Sequence, residues 1–340
     1  MVACELDIWI SYTLGTVIPI HHRLCDTATP ANLFDTDLSP DHVPSSRSWE
    51  DYTLVQTEYF YAKIAVLFGD ITLLSHAVQP PEVSEVRAMY NRLLEEKGQL
   101  PRNLVMVPLD QCFMDSPRQI VDRFRFDFAY QKAVCVLYSR SVADSIGVLG
   151  CSEARERRTR AARTIVEHSI SMLEAVQPGG LLAQLKILVV RHIHDFNLAA
   201  IMLCLELKHS AISSGAETLR ELTEDIRPNL IHACSLWNAP DIPSPKARNA
   251  IDIVLRFLRQ ASGAQAMHSD AVAKNVWPDD IMLTNGVCSG NAVTVPYEFD
   301  ETFSWFEQVQ ENIPLPAFPE GVSFEYDTLR GSLSAQSGLP

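Results

Sequence analysis

The sequence predicts an all-α fold: a multi-helix bundle around a buried central helix, followed by a partly disordered C-terminal tail. Three observations carry that expectation. Segments with apolar residues at helical spacing recur along the chain, separated by connectors rich in Gly and Pro. No pair of alternating segments joined by a tight turn reads as a β-hairpin. One stretch, Leu185 to Lys208, is apolar on nearly all sides, and a helix of that kind must be surrounded by others. The chain has 340 residues, 47% hydrophobic and 21% charged, enough to bury a sizeable core in one large or two modest domains.

Taken in order, a helical pattern runs from Val2 to Leu14 and stops at Gly15 and Pro19. The stretch Leu24 to Arg47 holds three prolines and several Asp and Asn residues, which exclude a regular helix. Asp35 and Asp37 lie there as isolated turn residues expected to bond local backbone rather than a cation. Further helices are expected over about 49–78, ended by Pro80-Pro81, over 82–97, ended by Gly98, and over 118–142. The next, about 152–176, opens with the arginine-rich run Glu153 to Arg163. Such a run can serve as a nuclear localisation signal or a phosphate patch, but its glutamates favour a solvated helix face. Gln177-Pro178-Gly179-Gly180 ends it and leads into the central helix; two more helices are expected over about 216–236 and 245–261.

The central helix contains His192-Ile193-His194-Asp195. On a helix, residues i and i+2 point about 200° apart, so the two histidines cannot share one ion. His192 and Asp195, at i and i+3, share a face and are expected to form a buried polar pair that fixes packing. Lys186, Arg191 and Asp195 cut the apolar run to about ten residues, against roughly 20 for a membrane crossing, so no membrane span is expected.

Charge and composition exclude several functions. The net charge is −14, whereas nucleic-acid phosphates are met mainly by Lys and Arg on a basic face. The eight cysteines are scattered without a C-x2-C pair, so neither a zinc site nor another cofactor is expected, and free thiols fit a reducing compartment. No secretory signal is read at the start, because Glu5 and Asp7 interrupt the apolar stretch. An all-α small-molecule enzyme of terpene-synthase type is the alternative. Glu221, Glu224 and Asp225 do share one helix face, but they fit a solvated face near a helix N-terminus. Asp279-Asp280 is the single Asp-Asp pair and lacks a following carboxylate at the required spacing. No Gly-rich phosphate loop, G-x-S-x-G elbow or H-E-x-x-H pair occurs either, and no catalytic residue is assigned.

From Pro296 onward, Tyr297 to Glu307 mixes aromatics with acids, and Arg330 is the one basic residue after Lys274. That alternation is the composition of activation segments that order on binding a coactivator. Phe299, Phe303 and Phe306 also have helical spacing, with Trp305 beside them, so the segment can equally be a short docking helix. These four residues are the candidate activation or docking segment.

Cys25-Asp26-Thr27, Pro30 to Leu38 and Pro44-Ser45-Ser46-Arg47 together resemble a loop in the helical regulatory domain, the middle homology region, of fungal Zn2Cys6 transcription factors. Leu14-Gly15 with Ile18-Pro19, Lys63 to Ile71, and His194-Asp195-Phe196 through Leu205 resemble the same domain, and the similarity spans about residues 5–260. The resemblance implies an all-α, non-catalytic regulatory domain over 1–262, with a linker and acidic-aromatic tail over 263–340. It implies a nuclear protein that regulates a metabolic or secondary-metabolite pathway through protein partners, a full-length transcription factor or a coactivator. The six-cysteine zinc cluster of family members has no counterpart here, which implies no direct DNA contact by this chain. Glu5-Leu6-Asp7 resembles a helix near the middle of that domain. On that alignment the apolar residues Val2, Leu6 and Ile10 lack their usual cover, and a homo- or hetero-oligomer, or a truncated modulator of a relative, is expected.

Overall fold

Gly15 shows how directly local chemistry sets the first element. It takes φ +64°, and the amides of Gly15 and Thr16 bond the carbonyls of Tyr12 (3.2 Å) and Ser11 (2.9 Å). This closes helix α1, Val2–Leu14, with the paired bonds of a left-handed C-terminal cap that a side chain would disfavour. The computed structural model describes residues 2–20, 28–39, 44–143, 151–213, 216–239 and 251–258. The helices that follow are α2 (Leu54–Ser75), α3 (Val83–Gly98), α4 (Pro117–Ala143), α5 (Cys151–Ala175), α6 (Lys186–Val190), α7 (Ile193–Ser213) and α8 (Ala216–Trp237). Residues 251–258 are also helical. Among the described residues no strand element occurs, and the fold is the all-α bundle that the periodicity predicts.

Helix boundaries fall within a few residues of the sequence expectation because caps and breakers define them. Thr53 caps α2, its hydroxyl accepting from the Gln56 amide at 3.0 Å. Glu82 and Glu85 close a reciprocal capping box on α3, with the Glu82 amide donating to Glu85 Oε2 at 2.9 Å. After α5 the chain reverses tightly: a Cβ on Gly180 would meet the Ala175 carbonyl oxygen at 2.3 Å. Only glycine permits that approach.

The expectation of one continuous helix from Leu185 to Lys208 is corrected. A 3-10 turn, Ala183–Leu185, leads into the five-residue α6, and the chain breaks at Arg191 and His192 before α7. The two pieces are bent by 60°. Neither proline nor glycine stands at the bend. The His192–Asp195 pair lies at the bend, with Asp195 also paired to Lys132 on α4. No single helix among the described residues is long and apolar enough to cross a membrane.

The most enclosed helix is α4, not the 185–208 segment. It packs against α2, α3, α5 and α7, and every residue from Val121 to Tyr130 is buried. Within the segment 185–208, α7 is itself largely buried, with Phe196, Ala199, Ala200, Met202, Leu203 and Cys204 inside and Ile201 50% exposed, while α6 carries Ile187 at 73%. Helix α5 packs on α4, α7 and α8, and α1 lies on α2. Phe124 and Phe128, one turn apart on α4, join the main core with α5 and α7, whereas Phe126 and Ala129 enter a second apolar cluster with Phe60, Ile64 and Leu104. A helix apolar on two faces and charged between them can only be central if its charges find partners inside the protein.

Candidate functional site

Those partners make α4 an ionic hub. Along Asp122-Arg123-Phe124-Arg125-Phe126-Asp127, four charged side chains are buried, and Lys132 is buried one turn later. Each reaches a different part of the chain. Asp122 accepts from the Tyr52 hydroxyl at 2.7 Å and from Arg118 at 3.1 Å. Arg123 donates to Asp115 at 2.7 Å and to the Asn103 carbonyl at 2.9 Å, fastening the connector before α4. Asp127 meets Lys97 of α3 at 3.0 Å and His168 of α5 at 3.1 Å. Lys132 meets Asp195 of α7 at 3.0 Å. Arg125 takes two carboxylates at once: Glu58 of α2 at 2.8 and 3.2 Å, and Glu5 of α1 at 2.9 Å.

The electrostatics follow from burial set against these charges. Burial alone would raise the Asp127 carboxyl, but the bond to His168 and the charges of Lys97 and His168 hold it down to about 2. Asp195 is likewise held well below the carboxylate range by Lys132 and His192, despite burial. Burial pushes the His192 imidazole down, so it is neutral at physiological pH while its Nδ1 lies 3.0 Å from Asp195 Oδ2. Glu5 goes the other way: burial raises it to about 7 against the pull of Arg125, and the neighbouring Glu58 raises it further. One guanidinium shared by two carboxylates cannot fully compensate both.

Aromatic rings complete the same junction. The Arg125 guanidinium lies 3.6 Å from the centre of the Tyr61 ring, and the Lys132 ammonium lies 5.0 Å from the rings of both Trp9 and Tyr12. Trp9 stacks on Phe68 at 4.5 Å. Cation and ring attract more strongly when the cation is desolvated, and both cations here are buried.

A second polar cluster organises the loop before α2. The Asn32 side chain is fully buried and donates to the carbonyls of Ser48 (2.6 Å) and Asp51 (3.2 Å), while its oxygen accepts from Thr53 Oγ1 at 2.5 Å. Its own amide donates to Ser46 Oγ, and the Arg47 amide donates to its carbonyl. Asp37 accepts from the Phe34 amide at 2.9 Å, as expected of a turn residue, and takes Arg47 in a two-pronged pair at 2.5 Å. Asn32, Asp37, Ser46 and Arg47, part of the stretch that resembles the fungal regulatory domain, are thus the residues that staple the loop to the start of α2.

The arginine-rich run of α5 is not simply a solvated face. Arg155 and the buried Arg158 both bond Glu206 of α7, and Arg163 pairs with Asp225 of α8. Arg157 and Arg160 pair one turn back with Glu153 and Glu156. Asp225 lies on a solvated face, as expected, with its side chain 59% exposed, and through Arg163 it also ties α8 to α5. Among the described residues no group of three His, Cys, Asp or Glu side chains is gathered to hold a metal ion. Phe299, Phe303, Trp305 and Phe306, and Asp279-Asp280, lie outside the described residues. Sequence reasoning missed the hub on α4; the signal that was present is the run of charges alternating with phenylalanines at positions 122–128.

Buried pairs that tie seven parts of the chain to one helix define a helical scaffold whose charged groups serve its own assembly. Comparison with known proteins places that scaffold. The chain is 27% identical over 270 residues to the Zn(2)-C6 fungal-type transcription factor mpsB of Macrophomina phaseolina, covering 76% of this chain and 36% of that protein. It is 28% identical over 280 residues to transcription factor phm2 of Pyrenochaetopsis sp., covering 79% of this chain and 37% of that protein. With the equisetin cluster transcription factor eqxF of Fusarium heterosporum it shares 24% identity over 306 residues, 87% of this chain and 43% of that protein. The chain is thus related over most of its length to fungal transcription factors, as its resemblance implies, and these relatives are named as transcription factors rather than enzymes. It spans little more than a third of the length of the first two. No protein-family model matches the chain. No solved structure matches it either.

Proposed function

We propose that this chain acts in transcription as a regulatory region of the fungal Zn2Cys6 kind, controlling a secondary-metabolite gene cluster from the nucleus without itself reading DNA. The observation that carries the reading is the similarity over three quarters or more of the chain to transcription factors, one of them named for a metabolite cluster. The net charge of −14 supports the second half. A DNA-reading surface needs free basic side chains, and the arginines of α5 are each engaged by a carboxylate. In this reading residues 1–262 form the regulatory bundle and 263–340 a linker with an acidic-aromatic segment. Its partners are proteins: a full-length transcription factor or a coactivator.

Fusing the full chain to an unrelated DNA-binding domain in a fungal host with a matching reporter tests the proposal. The fusion is expected to change reporter output at least threefold relative to the DNA-binding domain alone. Output equal to that of the bare domain would refute a regulatory role.

A further inference from the structure

The junction of α1 with the bundle contains an electrostatic conflict: two carboxylates, Glu5 and Glu58, share one buried guanidinium, Arg125. Glu5, in the first turn of α1, is 3% exposed, and its Oε2 has no hydrogen-bond partner. Its other oxygen shares Arg125 Nη2 with Glu58, which holds the guanidinium by two bonds. The centre of the Tyr61 ring of α2 lies 3.6 Å from the same guanidinium. The groups facing Glu5 are thus Glu58 and Tyr61 from α2, Arg125 from α4, and Arg191 from the bend before α7, with Asp195 and Lys132 farther along the same junction. Glu58, with its side chain 35% exposed, keeps contact with water. Glu5 has no such escape while α1 is in place.

The further attachments of α1 include apolar packing, ring stacking, the Lys132 ammonium over Trp9 and Tyr12, and the bond from the Cys4 thiol to the Ile20 carbonyl. Ile8 is buried, Trp9 stacks on Phe68 and Tyr61, and Asp7 accepts from the Ile20 amide. Lifting α1 would hydrate Glu5 and leave the Arg125–Glu58 pair intact. It would also uncover Tyr61 and Phe68 as an aromatic surface beside the Arg125–Glu58 and Lys132–Asp195 ion pairs.

We propose that α1 is a releasable cover on the bundle, and that the proton carried by Glu5 sets how often it lifts. The sign follows from linkage. Glu5 is raised from 4.5 to about 7 in place, so docking is fully supported below about pH 4.5, where the carboxyl is neutral in both states. Support is lost as pH rises to about 7, where the lifted state ionises and the docked state resists. Above that both states are ionised and the opening levels off.

Hydrogen–deuterium exchange on the full chain, corrected for intrinsic chemistry, tests this across pH 5 to 8 by comparing the amides of α1 with those of α4. The opening of α1 is expected to rise by up to about tenfold per pH unit to pH 7 and then flatten, with α4 unchanged. Glu5→Gln, which still accepts from Arg125, is expected to keep α1 docked and remove the pH dependence. Glu58→Gln, which leaves the guanidinium to Glu5, is expected to weaken the dependence and preserve docking at pH 8. The proposal is overturned by α1 opening that is independent of pH or parallels α4. It is equally overturned by a Glu5→Gln chain that keeps the wild-type slope or cannot dock α1, or by a Glu58→Gln chain with an unchanged slope.

Discussion

Replacing Asp195 by Asn isolates one spoke of the hub with almost no change in shape. Lys132 would then sit with its side chain 10% exposed and without its carboxylate, while His192 would lose its charged neighbour. Removing one partner of a buried ion pair costs about 3–5 kcal/mol, because the surviving charge is left uncompensated. Asn retains one acceptor oxygen, which puts the expected loss near the lower figure, about 3 kcal/mol. That is a large share of the roughly 5–15 kcal/mol that holds a folded domain together. For a bundle of this size it corresponds to a midpoint lowered by about 6–12 °C. The double substitution Asp195→Leu with Lys132→Met removes both charges and is expected to return most of the loss, since apolar groups of similar volume replace buried pairs at little or no cost. Urea and thermal unfolding of the full chain at pH 7, followed by circular dichroism, measures both. A single variant within about 0.5 kcal/mol of wild type, or a double variant no more stable than the single, would refute the view that the pair is buried and mutually dependent.

Three further outcomes are expected. Asn32→Ala removes the fully buried side chain that donates to the Ser48 and Asp51 carbonyls and accepts from the buried Thr53 hydroxyl, and should cost about 1–3 kcal/mol and open residues 28–53 to limited proteolysis; unchanged cleavage kinetics would count against the staple. Residues 290–340 fused to an unrelated DNA-binding domain should activate a reporter, and replacing Phe303, Trp305 and Phe306 with Ala should abolish it; a silent intact fusion removes the activation reading. Leu6 and Ile10 are 50% and 40% exposed on α1, and light scattering should find the chain associated, with Leu6→Glu plus Ile10→Glu shifting it to monomer. A monodisperse wild-type monomer would contradict that.

How much of this was legible in the sequence depends on the range of the interaction that fixes each feature. Helix ends were readable because their causes are local: Gly15 and the Gln177-Pro178-Gly179-Gly180 turn act within a few residues. The pairing of His192 with Asp195 was readable for the same reason, one turn apart on one helix. The bend between α6 and α7 was not, because no proline or glycine marks it in the sequence, and the Lys132 that meets Asp195 beside it lies more than 50 positions earlier in the chain. Nor was the centrality of α4. Periodicity assigns charged residues to water, and Asp122, Arg123, Arg125, Asp127 and Lys132 can be inside only because Tyr52, Asp115, Glu5, Glu58, Lys97, His168 and Asp195 come to them. The α5 arginines failed in the opposite direction. Their glutamates correctly suggested neutralisation, but three of the five are tied to other helices and not to their own. The Asn32 loop was recognised by resemblance alone, since its partners lie 14 to 21 residues away with no periodic signal.

Binding of the purified full chain to a pool of random duplex DNA at about 150 mM salt, with zinc measured on the same sample, tests the central functional claim most directly. No enrichment of any sequence over successive rounds and no stoichiometric zinc are expected, because in the proposed reading regulation rests on protein contacts. Recovery of a defined motif bound with a Kd in the range typical of specific recognition, about 10⁻⁸ M or tighter, would contradict it.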